Sequence, residues 1–308
     1  FAELAVPVVS PEMNIPLVKS IDMQFAARIE NYSLFGTVWA PKVALAYRPT
    51  DWLMFRSAWS KGFRAPNLLQ LHQPDFERSN SRRDYAACAV QLAIGAIPTL
   101  VTSNDYCTSE DRIEQRTGNK DLNAEDSDNL SLGLVLEPTL WPREYGSLTF
   151  TADYWKIRQE NLVGIFGGHN QLLMDYYLRQ IGQTNPNLVR AAPDAQQIAD
   201  AAAAGLAPVG TLLSIKDEYV NLQPRESEGL DLRMFYSLRN TPAGSFRLSV
   251  NASQKLKLFQ EASEAHQMLL DALQDGVISG VTVSGVEDLV RRNGRPEWKV
   301  TASLTWSK

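Results

Sequence analysis

An antiparallel transmembrane β-barrel segment is the fold class this sequence predicts: all-β, about nine strands, short periplasmic turns and long extracellular loops. Three observations predict it. Apolar and polar residues alternate with period two in one segment after another. No apolar run reaches the roughly 20 residues a spanning helix needs, since 86–101 and 198–213 are shorter and carry polar residues or proline. Short and long connections take turns along the chain, as they do where strands cross a bilayer and return.

The first clear strand begins at Ile21, where Ile21, Met23, Phe25, Ala27 and Ile29 share one face and Asp22, Gln24, Arg28 and Glu30 the other. Val43, Leu45 and Tyr47 against Lys42 and Arg48 form the next. Past the turn at 48–51, Leu53, Phe55 and Trp59 alternate with Met54, Arg56 and Ser60. Leu130, Leu132, Leu134 and Leu136 open a second hairpin, which returns through Leu148, Phe150, Ala152 and Tyr154 with Asp153 facing the other way. A third pair sets Leu230, Leu232, Met234 and Tyr236 against Asp231 and Arg233, then Phe246, Leu248, Val250 and Ala252 against Arg247. The cleanest alternation is the last, with Trp298, Val300, Ala302, Leu304 and Trp306 on one face and Lys299, Thr301, Ser303 and Thr305 on the other. A weaker strand at 1–9 completes about nine, most of them near 10 residues long.

Connections at 10–17, 48–51, 137–146 and 238–245 are short, whereas those at 31–39, 62–123, 159–225 and 259–294 are predicted to be long. A structureless loop of about 60 residues fits a compact soluble domain poorly. Within the long connections, 171–180, 195–204 and 266–273 have helix-forming composition. Aromatic placement agrees with a membrane. Trp298 and Trp306 lie about 20 Å apart along a tilted strand, near the height of an apolar band. Tyr47, Trp52, Trp141, Tyr145 and Tyr236 cluster near the short turns, at headgroup level.

The 308 residues, 44% apolar and 21% charged, exclude a disordered or disulfide-dense chain. A net charge of −5 and the lack of a basic patch exclude nucleic acid as a partner. The start, Phe1-Ala2-Glu3-Leu4, has neither an initiator methionine nor a signal-type segment, which predicts a fragment.

Against this background, Pro41 to Pro49 followed by Leu53 to Leu68, with Gly62-Phe63-Arg64-Ala65-Pro66 at its centre, resembles the mid-barrel signature of TonB-dependent outer-membrane receptors. Three further segments fit the same template in order: Gly118 to Ser127, Leu148 to Ile157 and Gly229 to Arg233. Lys120 and Ala124 stand where that family often has proline. The resemblance implies a Gram-negative outer-membrane barrel of about 22 strands. It also implies an N-terminal plug, and uptake of a siderophore, cobalamin, haem, a metal or an oligosaccharide energised by TonB. Residues 1–308 would then be one partial barrel domain, without its plug and terminal strands, whose partners are lipid, plug, TonB and a small external ligand. Two alternatives stand beside it: a passive porin, and a soluble all-β binding domain.

Such a transporter needs no catalytic residue, metal or cofactor, and none is predicted. His72, His169 and His266 fall in separate long connections and read as solvated; Gly167-Gly168 reads as a flexible loop tip. Charges on the polar face would be costly against lipid, so Asp22, Arg28, Arg56, Asp153, Asp231, Arg233 and Arg247, with Lys42 and Lys299, are predicted to face the lumen, mostly as inter-strand ion pairs. Arg64, Arg78, Arg82 and Arg83 are candidates for an anionic ligand, against a solvated loop balanced by Asp75, Glu77 and Asp84. Cys88 and Cys107, with no metal-type neighbours, are predicted to form a loop disulfide worth about 3 kcal/mol.

Overall fold

The computed structural model describes residues 1–308 apart from 34–35, 101–106, 108, 139–142 and 293, so Trp141 lies outside the described residues. In chain order, β1 (Ala2–Val9), β2 (Ser20–Tyr32), β3 (Gly36–Thr50) and β4 (Leu53–Arg64) are followed by α1 (Leu68–His72), β5 (Phe76–Arg83), α2 (Tyr85–Ala93) and β6 (Ser109–Arg116). Then come β7 (Glu125–Leu136), β8 (Ser147–Glu160), β9 (Leu162–Ile165), α3 (Gly168–Gln180), β10 (Leu188–Arg190) and α4 (Ala195–Ala204). Last are β11 (Leu212–Lys216), β12 (Tyr219–Leu222), β13 (Arg225–Thr241), β14 (Gly244–Gln260), α5 (Glu264–Gln274) and β15 (Trp298–Ser307).

Nine strands make one sheet in the order β1-β2-β3-β4-β7-β8-β13-β14-β15, antiparallel at every step. Register carries the alternation across the whole sheet. One row reads Tyr47, Phe55, Leu134, Ala152, Leu232, Ala252 and Val300; the adjacent row, on the opposite face, reads Ala46, Arg56, Gly133, Asp153, Asp231, Ser253 and Lys299. Because the side-chain period is two, a slip of one residue anywhere would mix the faces. Among the described residues no second sheet covers the apolar face. Leu132 is 48% exposed, Val300 60% and Leu304 68%, and among the described residues every buried apolar side chain lies outside these nine strands. A sandwich, the soluble alternative, would bury that face.

At the short-turn end, tight turns set the pairing. Thr50 pairs with Leu53 and Thr241 with Gly244, whose φ of 112° only glycine adopts without strain. Aromatic tips bond turn carbonyls there: the Tyr47 hydroxyl donates to Leu17 O (2.7 Å), and Trp306 Nε1 to Ala243 O (2.8 Å).

The connection predicted to be long at 31–39 is a correction, because β2 and β3 stay paired as far as Tyr32 with Gly36. Proline at position 41 suggests a strand end, but the part of β3 before Lys42 has no β4 neighbour, and a strand edge tolerates proline. The other three long connections, 65–124, 161–224 and 261–297, leave from one end of the sheet and fold together into a cap. That cap adds helices to a mostly antiparallel β chain, with α3, α4 and α5 over the segments 171–180, 195–204 and 266–273 of helix-forming composition. Its four-stranded sheet, β10-β11-β6-β5, contains the parallel pair β11 and β6, and α2 to α5 pack around it. Tyr85, Ile97, Leu100, Leu172, Leu173, Ile215, Leu269 and Ile278 form its principal core, drawn from all three connections. Cap helices start where side chains satisfy free N–H groups: Asp84 at α2, Asp194 at α4 and Ser263 at α5.

Candidate functional site

Two places concentrate polar chemistry: the polar face of the nine-stranded sheet, and the cap above its long-loop end. On the sheet, Arg56 on β4 reaches across β7 to Asp153 on β8 in a two-point pair, Nε to Oδ1 at 2.9 Å and one terminal nitrogen to Oδ2 at 2.6 Å. The strand between them carries Gly133 at that level, and a Cβ there would collide with both partners. Asp231 accepts a hydrogen bond from Ser253 across one strand gap, and Arg28 pairs with Glu30 on its own strand. Asp22, Arg233 and Arg247 share this face by register, opposite Ala46, Thr151 with Asn251, and Ser237 with Thr305. Among the described residues these three, with Lys42 and Lys299, form no ion pair. Inter-strand ion pairing of most of these charges is therefore not what the structure contains. Their neighbours across the strands are small or hydroxylated, which leaves them solvated.

Near the long-loop end of the same face, Arg64, Glu125, Gln159 and Arg225 line a pocket of 260 Å³. Glu125 is 5% exposed and holds Arg64 together with the Val163 N–H (2.8 Å).

The other three sequence-picked arginines are not gathered with Arg64. Arg82 and Asn80, on one face of β5, both donate to the buried Glu114 carboxylate on β6, at 2.6 Å each. Arg83 faces the other way and donates to Leu100 O (2.9 Å), while Arg78 lies 5.5 Å over the Phe76 ring. Nor do Asp84 and Glu77 balance these arginines: Asp84 binds Arg190, and Glu77 accepts from Gln115 (3.2 Å). Arg190 itself, on β10, donates to both oxygens of Asp84 (2.6 and 2.8 Å) and to Asp175 on α3 (2.9 Å) with side-chain exposures of 9%, 8% and 1%. Two connections are thereby tied together by a buried network whose members lie up to 106 residues apart. Cys88 and Cys107 are bonded to each other inside the cap core.

His266 is not solvated, which corrects that reading: it is 5% exposed, its Nδ1 lies 2.6 Å from Ser263 Oγ and its Nε2 is 3.2 Å from Asn170 Nδ2. Burial holds its pKa below the usual imidazole value, partly offset by a backbone contact at Ser284. His169 meets Thr282 O (2.8 Å) and Tyr85 (3.4 Å). Gly167-Gly168 is not a loop tip either, since it begins α3, with Gly168 packed closely against Glu114. Gly167 N–H donates to Asp217 (3.0 Å), whose carboxyl is pushed up chiefly by burial. Among the described residues no group of His, Cys, Asp and Glu could hold a metal ion.

Sequence reasoning had no signal for a cleft of 490 Å³ in the cap, between α3, β12, the 185–187 segment and the start of α5. Its apolar side is Phe166, Met174, Leu178, Val220 and Leu222, and its polar side is dominated by carboxamides, among them Gln171 and Asn187.

Solved structures with a similar fold include a ferric enterobactin receptor mutant from Pseudomonas aeruginosa (14% identity, 79% of this chain and 28% of that one, TM-score 0.46). The siderophore receptor PirA from Acinetobacter baumannii is another (12% identity, 92% of this chain and 36% of that one, TM-score 0.45). A third is the RagAB peptide importer (11% identity, 79% and 21%, TM-score 0.40). The chain thus spans about a third or less of the length of these proteins. No curated protein matches. The family described as TonB dependent receptor-like, beta-barrel matches residues 10–308, nearly the full chain, and is one of outer-membrane transport receptors. With its two-faced sheet and one-sided cap, this chain belongs to that family.

Proposed function

We propose that the chain forms part of the wall and the external cap of a Gram-negative outer-membrane receptor, which binds a small external ligand and takes it up with energy delivered by TonB. The observation that carries this is the division of the nine-stranded sheet: an uncovered apolar face suited to lipid, a polar face bearing Arg28, Arg56, Asp153, Asp231, Arg233 and Arg247, and one end closed by a folded cap. On this reading the polar face borders the lumen, where it meets a plug domain belonging to the whole receptor. TonB acts through that plug, and the cap selects the ligand. Siderophores, cobalamin, haem and oligosaccharides are the classes to try first.

A passive porin would share the wall. The two readings separate in an uptake assay of the full-length protein in a Gram-negative host with and without TonB. Ferric enterobactin, cyanocobalamin, haem and maltooligosaccharides serve as probes, with short peptides added. Uptake of one compound that disappears without TonB is the expected result; uptake indifferent to TonB makes the protein a porin. Recovery of the full-length protein in the soluble fraction would overturn both.

A further inference from the structure

The cap cleft is built for a ligand that the arginines would not suit. Gln171, 7% exposed, has its side-chain oxygen occupied by Asn185 Nδ2 (2.9 Å) and Asn187 Nδ2 (3.2 Å). A carboxamide so held turns its nitrogen the other way, and Gln171 Nε2 makes no hydrogen bond among the described residues while Gln171 lines the cleft. A second source of donors stands opposite. In α5, an 11-residue helix, the Ser263 hydroxyl accepts from His266 N (3.2 Å) and the Ser263 carbonyl from Gln267 N (2.7 Å). That leaves Glu264 N–H and Ala265 N–H, both at the cleft, without an acceptor among the described residues. Residues with unengaged donors on two elements therefore line one space floored by Phe166, Met174, Leu178, Val220 and Leu222. Among the described residues no Lys, Arg or His lines it, and its one charged side chain is the exposed Glu264.

Donors without a full cation recognise neutral carbonyl oxygens, and the partial positive charge of the α5 N-terminus, which by itself favours an anion, is offset by the Glu264 carboxylate in the same first turn. The apolar floor asks for an apolar group beside those carbonyls. A volume of 490 Å³ falls within the range of about 300–1,000 Å³ typical of small-ligand pockets. We propose that this cleft binds a short peptide segment, its backbone carbonyls on Gln171 Nε2 and the α5 N–H groups and one apolar side chain against Met174 and Leu178. This deepens the receptor reading above and rests on it: the cap would select peptides rather than anionic chelates.

The test is calorimetric titration of the purified full-length receptor with N-acetylated, C-amidated tripeptides whose central residue is varied, beside a ferric catecholate and maltotriose. Tripeptides with a central leucine or phenylalanine are expected to bind. Filling the cleft from two different elements, with Leu178→Trp on α3 and Leu222→Trp on β12, should weaken binding at least tenfold, while Ile198→Ala on α4 leaves it unchanged. Wild-type hydrogen-exchange protection of α2 and α5 in both tryptophan variants shows that the cap is folded. Glu264→Gln should shift the preference toward a tripeptide with a central glutamate. Failure of every tripeptide to bind overturns the inference, as does binding that both tryptophan variants retain, or a catecholate or maltotriose response that they abolish. If no peptide binds yet another compound is taken up with TonB, only the peptide assignment falls. If nothing is taken up with TonB, the receptor reading falls.

Discussion

Replacing Arg190 by alanine removes the one cation that faces both Asp84 and Asp175, and the structure sets the size of the effect. Asp175 is 1% exposed and keeps Arg179 (3.0 Å) and the Asn185 N–H (3.1 Å), whereas Asp84, 8% exposed at its side chain, is left with the Ala87 N–H it caps (3.3 Å). Breaking a buried pair from one side typically costs about 3–5 kcal/mol, because a charge is stranded away from water. Arg179 lowers that figure on the Asp175 side, so about 3 kcal/mol is expected, a drop of roughly a hundredfold in the folded-to-open ratio of the cap. Hydrogen exchange of the full-length receptor reads it directly. Amides of α2, α3 and β10 should lose protection together while those of β7, β8 and β13 keep theirs. Replacing Arg190 together with Asp84 and Asp175 by apolar residues of similar volume should recover most of the loss, since no charge remains to be stranded. Unchanged exchange in α2 and α3 of Arg190→Ala at neutral pH would show that the network does not hold the two connections together.

Reduction, or Cys88→Ala with Cys107→Ala, opens a 19-residue separation inside the cap core and should destabilise the cap by about 3 kcal/mol, seen as faster proteolysis of 65–124 in the intact receptor. Gly133→Val should lower the yield of folded barrel on heat-modifiable electrophoresis by driving a side chain into Arg56 and Asp153, and Arg56→Ser with Asp153→Ser should restore it. Acid should loosen α5. His266 titrates in the folded cap below its ordinary value of about 6.5, so its stabilising contribution is full above that pH and is lost as pH falls from there toward the lowered folded value. Protection of α5, expressed relative to the intrinsic exchange rate at each pH, should fall from pH 7.5 to 5, and His266→Gln should flatten the profile. Asp217, raised by burial, works in the opposite sense: its contribution is full below its ordinary value of 3.8 and fades as pH rises through the raised folded value.

The strands were legible because each carries its own evidence. From Trp298 to Trp306 the alternation is complete within one segment, and register then follows from keeping every apolar side chain on one face. The cap was not legible for the converse reason. Leu173, Ile215 and Leu269 meet from three connections, and none of the three segments shows a period that points to the others. Strand β5, Phe76 to Arg83, has no apolar alternation, because its pairing with β6 is made by backbone bonds and by polar contacts such as Arg82 with Glu114. Closeness in sequence misled for Arg82 and Arg83, which adjacent strand positions send to opposite sides. Arg190 with Asp84, and Gly133 between Arg56 and Asp153, are facts of three-dimensional neighbourhood that only the assembled sheet and cap disclose.

A shared interior has a mechanical corollary. Three independent loops could each bend toward an arriving compound on their own, like separate fingers. Joined through Leu172, Ile215 and Leu269, they can only swing as one block or break open at a cost set by that whole interior. Any gate at this mouth would accordingly turn about the strand ends near Arg64, Glu160 and Gln260.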